Sequence, residues 1–181
     1  MPDITAAYNW VIRQCNAPNV GYSQAYRQGQ IVNGIKYYDC SSLMSEGLTV
    51  GNFFKTNPWF TTASEPDYLI GAGFTQHPAS VEWNAGDIVW RRGHTEMVYQ
   101  NRITMGAHTD TYPLDQQVSI NTYASDPASY TYVYKYGNGA LPANSYNVWM
   151  GWVPNESGFP YGSTQSRSNG RQRESLWSIS V

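Results

Sequence analysis

The first fifteen residues carry apolar side chains at the spacing of an α-helix. The stripe consists of Ile4, Tyr8, Val11, Ile12 and Cys15. Residues separated by three or four positions lie on one face of a helix, so this pattern predicts an amphipathic helix. Asp3 is in position to cap its amino end, and Pro18 stops it.

The segment that follows has a weaker pattern. Residues 19–36 are rich in Gly, Gln and Asn with scattered aromatic residues, and they predict a loop or a weak hairpin. This segment leads to Asp39, a predicted helix cap, and to a second helix that begins at Cys40. The helix is expected to end near Gly47 or Gly51.

A third helix is predicted after an aromatic-rich loop at residues 53–60. Ser64 is its predicted cap, with Pro66 in the first turn and Asp67 three residues after the cap. The side chains expected on its buried side are Tyr68, Leu69 and Phe74.

After Pro78 the apolar residues alternate with polar ones, as they do in β-strands. The predicted strands cover residues 87–91, 94–100, 102–107, 117–121 and 130–136. This order indicates an α+β fold, with N-terminal helices packed on an antiparallel sheet of about five strands. Pro, Gly, Ser and Asn then break every regular pattern. Residues 1–136 are therefore predicted to form the domain, and residues 137–181 an irregular, aromatic-rich C-terminal extension or linker.

The composition narrows the class of protein. The chain has 181 residues and a net charge of −2, and it contains 15 Tyr and 7 Trp. The near-neutral charge and the lack of a basic run interleaved with aromatics argue against nucleic-acid binding. No apolar stretch is long enough to span a membrane, and residues 1–4 lack the features of a signal peptide. Tyr and Trp suit contact with sugars or peptides, but a small aromatic core explains them equally well.

Cys40 is the candidate nucleophile. A helix amino end has unpaired N–H groups and about half a positive charge, and both favour the thiolate. The only other cysteine, Cys15, lies on the first apolar stripe and is expected to be a buried core residue. A disulfide between the two is disfavoured because it would mask the nucleophile.

A thiol nucleophile needs a base, and the sequence offers His77, His94 and His108. If residues 94–100 and 102–108 form a hairpin that turns at Asn101, His94 lies opposite His108. Their Cβ atoms would then be about 4.5–5.5 Å apart, whereas a slip of one residue would put them on opposite faces.

The remaining polar residues receive smaller roles. Glu96 alternates onto the face of His94, where a solvated charge is expected rather than a group that supports the base. His77 precedes Pro78 in a predicted loop. No His-Glu-x-x-His or paired-cysteine spacing indicates zinc, and no calcium or nucleotide motif is present. The sequence therefore predicts no metal and no cofactor.

Three short motifs occur in an order found in a known family. They are Tyr38-Asp39-Cys40-Ser41-Ser42, Ala85-Gly86-Asp87-Ile88-Val89-Trp90 and Gly93-His94-Thr95-Glu96-Met97-Val98. The chain resembles the NlpC/P60-type, CHAP-related cysteine peptidases, and within them the bacteriophage amidase branch typified by a pneumococcal phage lysin. The similarity takes in residues 20–23 and 132–134 and spans residues 3–136.

The resemblance implies a papain-like core and a Cys-His-His site. Cys40 would attack a carbonyl carbon, His94 would take the thiol proton, and His108 would fix the His94 tautomer. The backbone N–H of Cys40 is one candidate oxyanion donor, and Tyr22 matches a tyrosine that the family places near the oxyanion hole. The candidate oxyanion and substrate-binding residues are Tyr22, Asp39 and Ser41.

The function expected from these features is a bacteriophage peptidoglycan hydrolase. It would be an N-acetylmuramoyl-L-alanine amidase or, alternatively, an endopeptidase that cuts the stem peptide or cross-bridge, because loop shape decides specificity. Residues 19–38, 53–60 and 109–130 are the candidate substrate loops. An inert wall-binding or tail structural module is a further hypothesis. The expected partners are bacterial peptidoglycan and other phage tail or lysin domains, in the virion tail or at the host wall during lysis.

Overall fold

The computed structural model describes residues 1–137, which form two β-sheets and a set of short helices. The helices are α1 Ile4–Cys15, α2 Cys40–Val50, α3 Glu65–Gly71 and α4 Leu114–Gln117, with a 3-10 turn at Pro127–Ser129. The strands are β1 Val20–Tyr22, β2 Gln28–Val32, β3 Ile35–Tyr38, β4 Phe74–Pro78, β5 Ile88–Arg91, β6 His94–Gln100, β7 Ile103–Ala107, β8 Val118–Ile120 and β9 Tyr132–Tyr136. The α+β class is therefore confirmed. The predicted C-terminal extension lies, apart from Gly137, outside the described residues.

Six strands form the larger sheet in the order β4-β9-β5-β6-β7-β8, and every neighbouring pair is antiparallel. All five predicted strands are present. β6 and β7 form the predicted hairpin, in which Met97 pairs with Met105 and Val98 pairs with Thr104. This is the predicted register, and it shifts only beside the turn. The hairpin therefore brings the first residue of β6 towards the end of β7.

Both faces of the central strands are buried. One face carries Val89, Val98 and Val133, which pack with Ala79 and Trp83. The alternate positions, which point to the opposite face, are buried as well and include Ile88, Met97, Met105 and Tyr134. α1 and α2 pack against β6 and β7. A polar side chain in the middle of these strands is therefore inside the protein whichever way it points.

The smaller sheet has the strand order β1-β3-β2. The β2–β3 hairpin confirms the weak hairpin predicted before Cys40. The sequence did not predict that β1 pairs with β3 in parallel, which aligns Tyr22 with Tyr38. This pairing places Tyr22 beside the segment that enters α2.

The first two helices begin and end as predicted. Asp3 caps α1 by accepting a hydrogen bond from the backbone N–H of Ala6 at 3.0 Å. α2 continues past Gly47 and ends at Val50, with Gly51 as its carboxyl cap. Within residues 1–137, no helix combines the length and apolarity that crossing a membrane requires.

Three predictions around α3 are wrong. The helix ends at Gly71, so Phe74 is not part of it; Phe74 begins β4, an edge strand that pairs with β9. His77 consequently lies in a strand rather than a loop, and β4 is the sixth strand of the larger sheet. Ser64 occupies the cap position, but its hydroxyl bonds to the backbone of Thr61 instead of the helix.

Gly51→Ala is expected to destabilise the protein by about 1–3 kcal/mol because it overpacks the contact between α1 and α2. A β carbon at this position would lie 2.6 Å from the backbone oxygen of Asp3 and 2.9 Å from Cβ of Ala7. Gly71→Ala is the matched control, since no atom lies within 4 Å of a β carbon added there. Urea denaturation measures both free energies of unfolding. An equal effect of the two substitutions would contradict the close approach at Gly51.

Candidate active site

α2 begins at Cys40 because Asp39 caps it. The carboxylate of Asp39 accepts a hydrogen bond from the backbone N–H of Ser42 at 2.7 Å, and the Ser42 hydroxyl accepts one from the N–H of Asp39 at 2.9 Å. This reciprocal capping box satisfies two donors at the helix end. The predicted cap is confirmed, and Cys40 stands in the first turn.

Arg27, which the sequence did not single out, holds the residues that flank the thiol. Its guanidinium donates to Asp39 at 2.5 Å, to the Ser41 hydroxyl at 2.9 Å and to the carbonyl of Phe60 at 2.6 Å. Asp39 and Ser41 are both buried. Their side chains therefore support the helix start from inside the protein, and their contact with a substrate stays a prediction.

The thiol of Cys40 is protonated at neutral pH. Burial and then the Asp39 carboxylate raise the pKa of Cys40 to about 12, although backbone hydrogen bonds from Thr95 and Ser41 act in the opposite direction. The expected lowering of this pKa by the helix amino end is not found. The hydrogen bond from Thr95 also locates the thiol, which lies against the amino end of β6.

Cys15 is buried on α1, as predicted, and both cysteines are free thiols. Burial raises the pKa of Cys15 far above its usual range, and the charge of Glu96 acts in the same direction. Both thiols are therefore protonated at neutral pH.

His94 and His108 meet on one buried carboxylate rather than on each other. Nε2 of His94 lies 3.6 Å from Oε1 of Glu96, and Nδ1 of His108 lies 3.0 Å from the same oxygen. The predicted hairpin register does bring the two histidines together. The direct contact by which His108 was to fix the His94 tautomer is instead a contact through Glu96.

Glu96 is only 2% exposed, so the expectation of a solvated charge is wrong. The groups that donate to or face its carboxylate are the rings of His94 and His108, the hydroxyls of Thr104 and Tyr130, and the amide of Asn121. Burial opposes its ionisation, but hydrogen bonds from His108 and then His94 outweigh burial and hold the pKa of Glu96 well below its usual range. Glu96 is therefore a buried, ionised carboxylate.

His94 keeps one ring nitrogen for proton transfer. Nε2 faces Glu96, and the ring stacks on Tyr130 with centroids 6.5 Å apart. Within residues 1–137, no hydrogen bond occupies Nδ1 or joins it to Cys40. The imidazole is attached next to Thr95, whose backbone contacts the thiol, and catalytic hydrogen bonds commonly tighten only when substrate is bound.

Both ring nitrogens of His108 face hydrogen-bond acceptors. Nδ1 faces Glu96, and Nε2 lies 3.2 Å from the carbonyl oxygen of Ser119. A neutral imidazole carries one N–H and one lone pair. A neutral ring can donate at only one of these two contacts, so both are satisfied together only by a second ring proton or by a cation bound to the other nitrogen.

Tyr22 lies at the end of β1, beside Tyr38 of the strand that leads into α2, and its place near an oxyanion hole stays a prediction. Its backbone N–H donates to Oε1 of Gln117 at 2.9 Å, which fixes the end of β1. Burial raises the pKa of Tyr22; the hydrogen bond with Gln24 lowers it, and the charge that Cys40 can carry raises it further. The phenol is therefore protonated at neutral pH and able to donate to an oxyanion.

A second buried carboxyl, Glu65, also contacts Thr95. Its Oε1 accepts a hydrogen bond from the Thr95 hydroxyl at 2.9 Å, while its Oε2 is buried and has no partner among residues 1–137. Burial raises the pKa of Glu65 well above its usual range, against the effect of the Thr95 hydrogen bond and with a further contribution from Asp39. The sequence placed Glu65 only in the first turn of a helix and gave no signal of its burial.

The three predicted substrate loops differ in what they expose. Tyr26 on residues 19–38, and Tyr112 and Tyr123 on residues 109–130, are exposed. These two loops therefore offer aromatic surface to a ligand.

The loop at residues 53–60 packs mostly on the protein itself. Phe54 and Phe60 contact Tyr68 of α3, and Phe53 contacts Phe74 at a centroid distance of 5.2 Å. Its phenylalanines form a small satellite core, so the loop offers less aromatic surface to a substrate than expected.

An open cavity of about 490 Å³ includes neither Cys40 nor His94 nor His108. It is lined by residues of β4 and of the segment around Val81, and its histidine, His77, is hydrogen bonded to Thr75 at 2.9 Å. It contains no thiol, so we do not assign the proposed chemistry to it.

The chain matches no model in a scan of protein families and no sequence in a search of curated proteins.

Glu65→Gln is expected to remove a pH-dependent loss of stability. The raised pKa of Glu65 means that the folded protein holds this proton more tightly than the unfolded chain does. In the unfolded chain the carboxyl titrates at about pH 4.3. The stability from this group is therefore present below that pH and is lost as the pH rises through the raised pKa. Between pH 4 and pH 8 the variant should gain free energy of unfolding relative to wild type.

Urea denaturation at several pH values measures this difference. Glu82→Gln is the control, because that side chain is exposed. The ionisable neighbours of Glu65, which are Asp39, Cys40 and Tyr134, are unchanged in both variants. A constant difference between wild type and Glu65→Gln at all pH values would contradict the raised pKa.

Proposed function

We propose that this protein is a cysteine-dependent peptidoglycan hydrolase with a papain-like core, encoded by a bacteriophage, and that it acts as an N-acetylmuramoyl-L-alanine amidase. One observation carries the proposal: a thiol at a helix start and a histidine–carboxylate–histidine cluster converge on the amino end of β6. Cys40 contacts the backbone of Thr95, and the residues on either side of Thr95 are His94 and Glu96. The resemblance of the motifs to NlpC/P60-type peptidases favours the same chemistry.

In the proposed first step, Sγ of Cys40 attacks the carbonyl carbon of the lactyl amide while Nδ1 of His94 takes the thiol proton. Because the pKa of Cys40 is about 12, the proton must leave as the C–S bond forms. The carbonyl electron pair moves to oxygen. The backbone N–H of Cys40 and the hydroxyl of Tyr22 are the proposed donors to this oxyanion.

In the second step the tetrahedral intermediate breaks its C–N bond, and His94 gives its proton to the leaving amine. The acyl group remains on Cys40 as a thioester. Water then attacks the thioester with His94 as base, the C–S bond breaks, and the proton returns to sulfur. The products are a free lactyl carboxylate on the glycan and a new amino-terminal L-alanine on the peptide.

Glu96 would support the imidazolium that forms on His94. At 3.6 Å, two unit charges in an effective dielectric of about 20 attract each other by about 5 kcal/mol. A neutral hydrogen bond contributes only about 1 kcal/mol, so the charge of Glu96 outweighs the other contacts of His94. His108 faces the same oxygen, which reduces the stabilisation that Glu96 can give to the imidazolium of His94.

Digestion of purified bacterial cell walls, followed by mass spectrometry, tests the function. The amidase reaction predicts free lactyl groups on muramic acid and new amino-terminal L-alanine. Cys40→Ala should give none of these products, whereas Cys15→Ala, the matched control, should give them at the wild-type level. New amino termini within the stem or bridge would identify the endopeptidase instead. The absence of Cys40-dependent products from walls of several species would contradict both activities and favour a binding or structural module.

Glu96→Gln is expected to lower kcat by about 10²- to 10³-fold, because it removes the charge that supports the imidazolium while preserving the shape of the side chain. KM should change by less than about threefold, since Glu96 is buried and does not reach a substrate. Glu82→Gln, at an exposed position, is the control and should leave both constants unchanged. Circular dichroism confirms that each variant is folded. A folded Glu96→Gln protein with wild-type kcat would show that the carboxylate plays no part in proton transfer.

A further inference from the structure

Three potential metal ligands converge in the described part of the chain. Nε2 of His94, Oε1 of Glu96 and Nδ1 of His108 each offer one lone pair, and the ligand atoms all lie within 4.8 Å of one another. The sequence did not reveal this group, because it has neither a helical His-x-x-x-His spacing nor paired cysteines. The hairpin register brings His108 to a pair of residues, His94 and Glu96, that alternate on one face of β6.

The geometry at His108 suits a metal ion. Nε2 of His108 lies 3.2 Å from the Ser119 carbonyl oxygen, and in the neutral tautomer that donates to this carbonyl the lone pair is on Nδ1. That lone pair faces a carboxylate oxygen at 3.0 Å. A backbone carbonyl that accepts from the outer nitrogen is also the usual support of a metal-bound histidine.

We propose that a divalent transition metal, with Zn²⁺ as the best fit, binds between His94, Glu96 and His108 and holds the protein inactive. Zn²⁺ binds histidine nitrogen and carboxylate oxygen at about 2.0–2.2 Å, which sets tetrahedral ligands about 3.4 Å apart. The two distances to Glu96 Oε1, 3.0 and 3.6 Å, bracket that value. Ca²⁺ and Mg²⁺ are disfavoured, because they require six or more ligands, almost all of them oxygen.

The carboxylate oxygen that faces the two rings, Oε1, has one further donor, the amide of Asn121 at 3.4 Å. Thr104 donates to Oε2 of Glu96 at 2.8 Å, and the Tyr130 hydroxyl donates to the same oxygen. These contacts fix the carboxylate with Oε1 directed at the two rings. One carboxylate and two neutral imidazoles give the site a net charge of −1, which attracts a divalent cation.

Inhibition follows from the tautomer of His94, and this part of the inference depends on the proposed hydrolase function. A metal on Nε2 leaves the single ring hydrogen on Nδ1. That nitrogen then cannot accept the thiol proton of Cys40, so the bound metal removes the base without touching the nucleophile. Metal binding at Nε2 of His94 and proton transfer from Cys40 are therefore mutually exclusive.

Isothermal titration of Zn²⁺ into the full-length Cys40→Ala protein tests the site without any contribution from the thiol or from hydrolysis. One ion per chain is expected to bind. On this background, Glu96→Gln and His108→Gln should each weaken binding by at least about tenfold, because each removes one of three ligands. His77→Gln is the matched control and should bind as tightly as the Cys40→Ala protein. Mg²⁺ should give no binding heat.

Two outcomes overturn the site: the absence of zinc binding by the Cys40→Ala protein, or stoichiometric binding that survives both ligand substitutions. If circular dichroism shows that Glu96→Gln is unfolded, His94→Gln replaces it, because His94 stands at the start of its strand and is partly exposed.

The inhibitory effect is tested separately on the wild-type protein with cell walls. Zinc should suppress product formation at the concentrations that saturate the site, and a chelator should restore it. Full activity at saturating zinc would overturn the inhibition. Zinc binding by a protein that never digests walls would support the metal site while contradicting the proposed hydrolase, so the two failures are distinguishable.

Discussion

A carboxylate that remains ionised inside a protein is costly unless several donors surround it. Glu96 meets this condition with groups from separate parts of the chain: Thr104 on β7, Asn121 after β8, Tyr130 before β9 and the two histidines. A glycine on β7 makes the space, since a β carbon on Gly106 would lie 3.1 Å from Cγ of Glu96. The positions of His94 and His108 are consequences of this arrangement, because both rings are oriented by the same oxygen.

The contrast with Glu65 shows that the donors, rather than burial, decide the ionisation state. Both carboxyls are buried, and both lie close to Thr95. Glu96 faces two imidazoles, and its pKa is lowered; Glu65 has one hydroxyl donor and an oxygen with no partner among residues 1–137, and its pKa is raised. The pKa values of the two carboxyls beside Thr95 are therefore shifted in opposite directions. An ionised Glu65 would oppose the formation of a thiolate at Cys40, because its negative charge raises the pKa of that thiol.

The sequence predicted the parts of the fold that depend on local patterns. Alternation identified the five strands, and Asp39 and Cys40 marked the start of α2. β4 was missed because an edge strand such as Phe74–Pro78 has one strongly apolar residue and no buried alternation to detect. Glu96 was misjudged because the alternation of side chains along a strand places it on the same face as His94 but does not show that both faces of β6 are buried. Arg27 gave no signal at all, since its contacts with Asp39 and Phe60 are not local in sequence.

The environment of the thiol reflects a conflict at the start of α2. Asp39 is needed to cap the helix, yet its negative charge, after burial, is the main reason that the pKa of the neighbouring Cys40 is raised. The bond from Arg27 to Asp39 offsets that charge only in part. A protonated, buried thiol is also a poor target for oxidation, because the thiolate is the reactive form. Cys40 must then lose its proton to a base at the moment of attack. The proposed activity therefore depends on whether His94 has a ring nitrogen free to accept that proton, and this is decided by its contacts with Glu96.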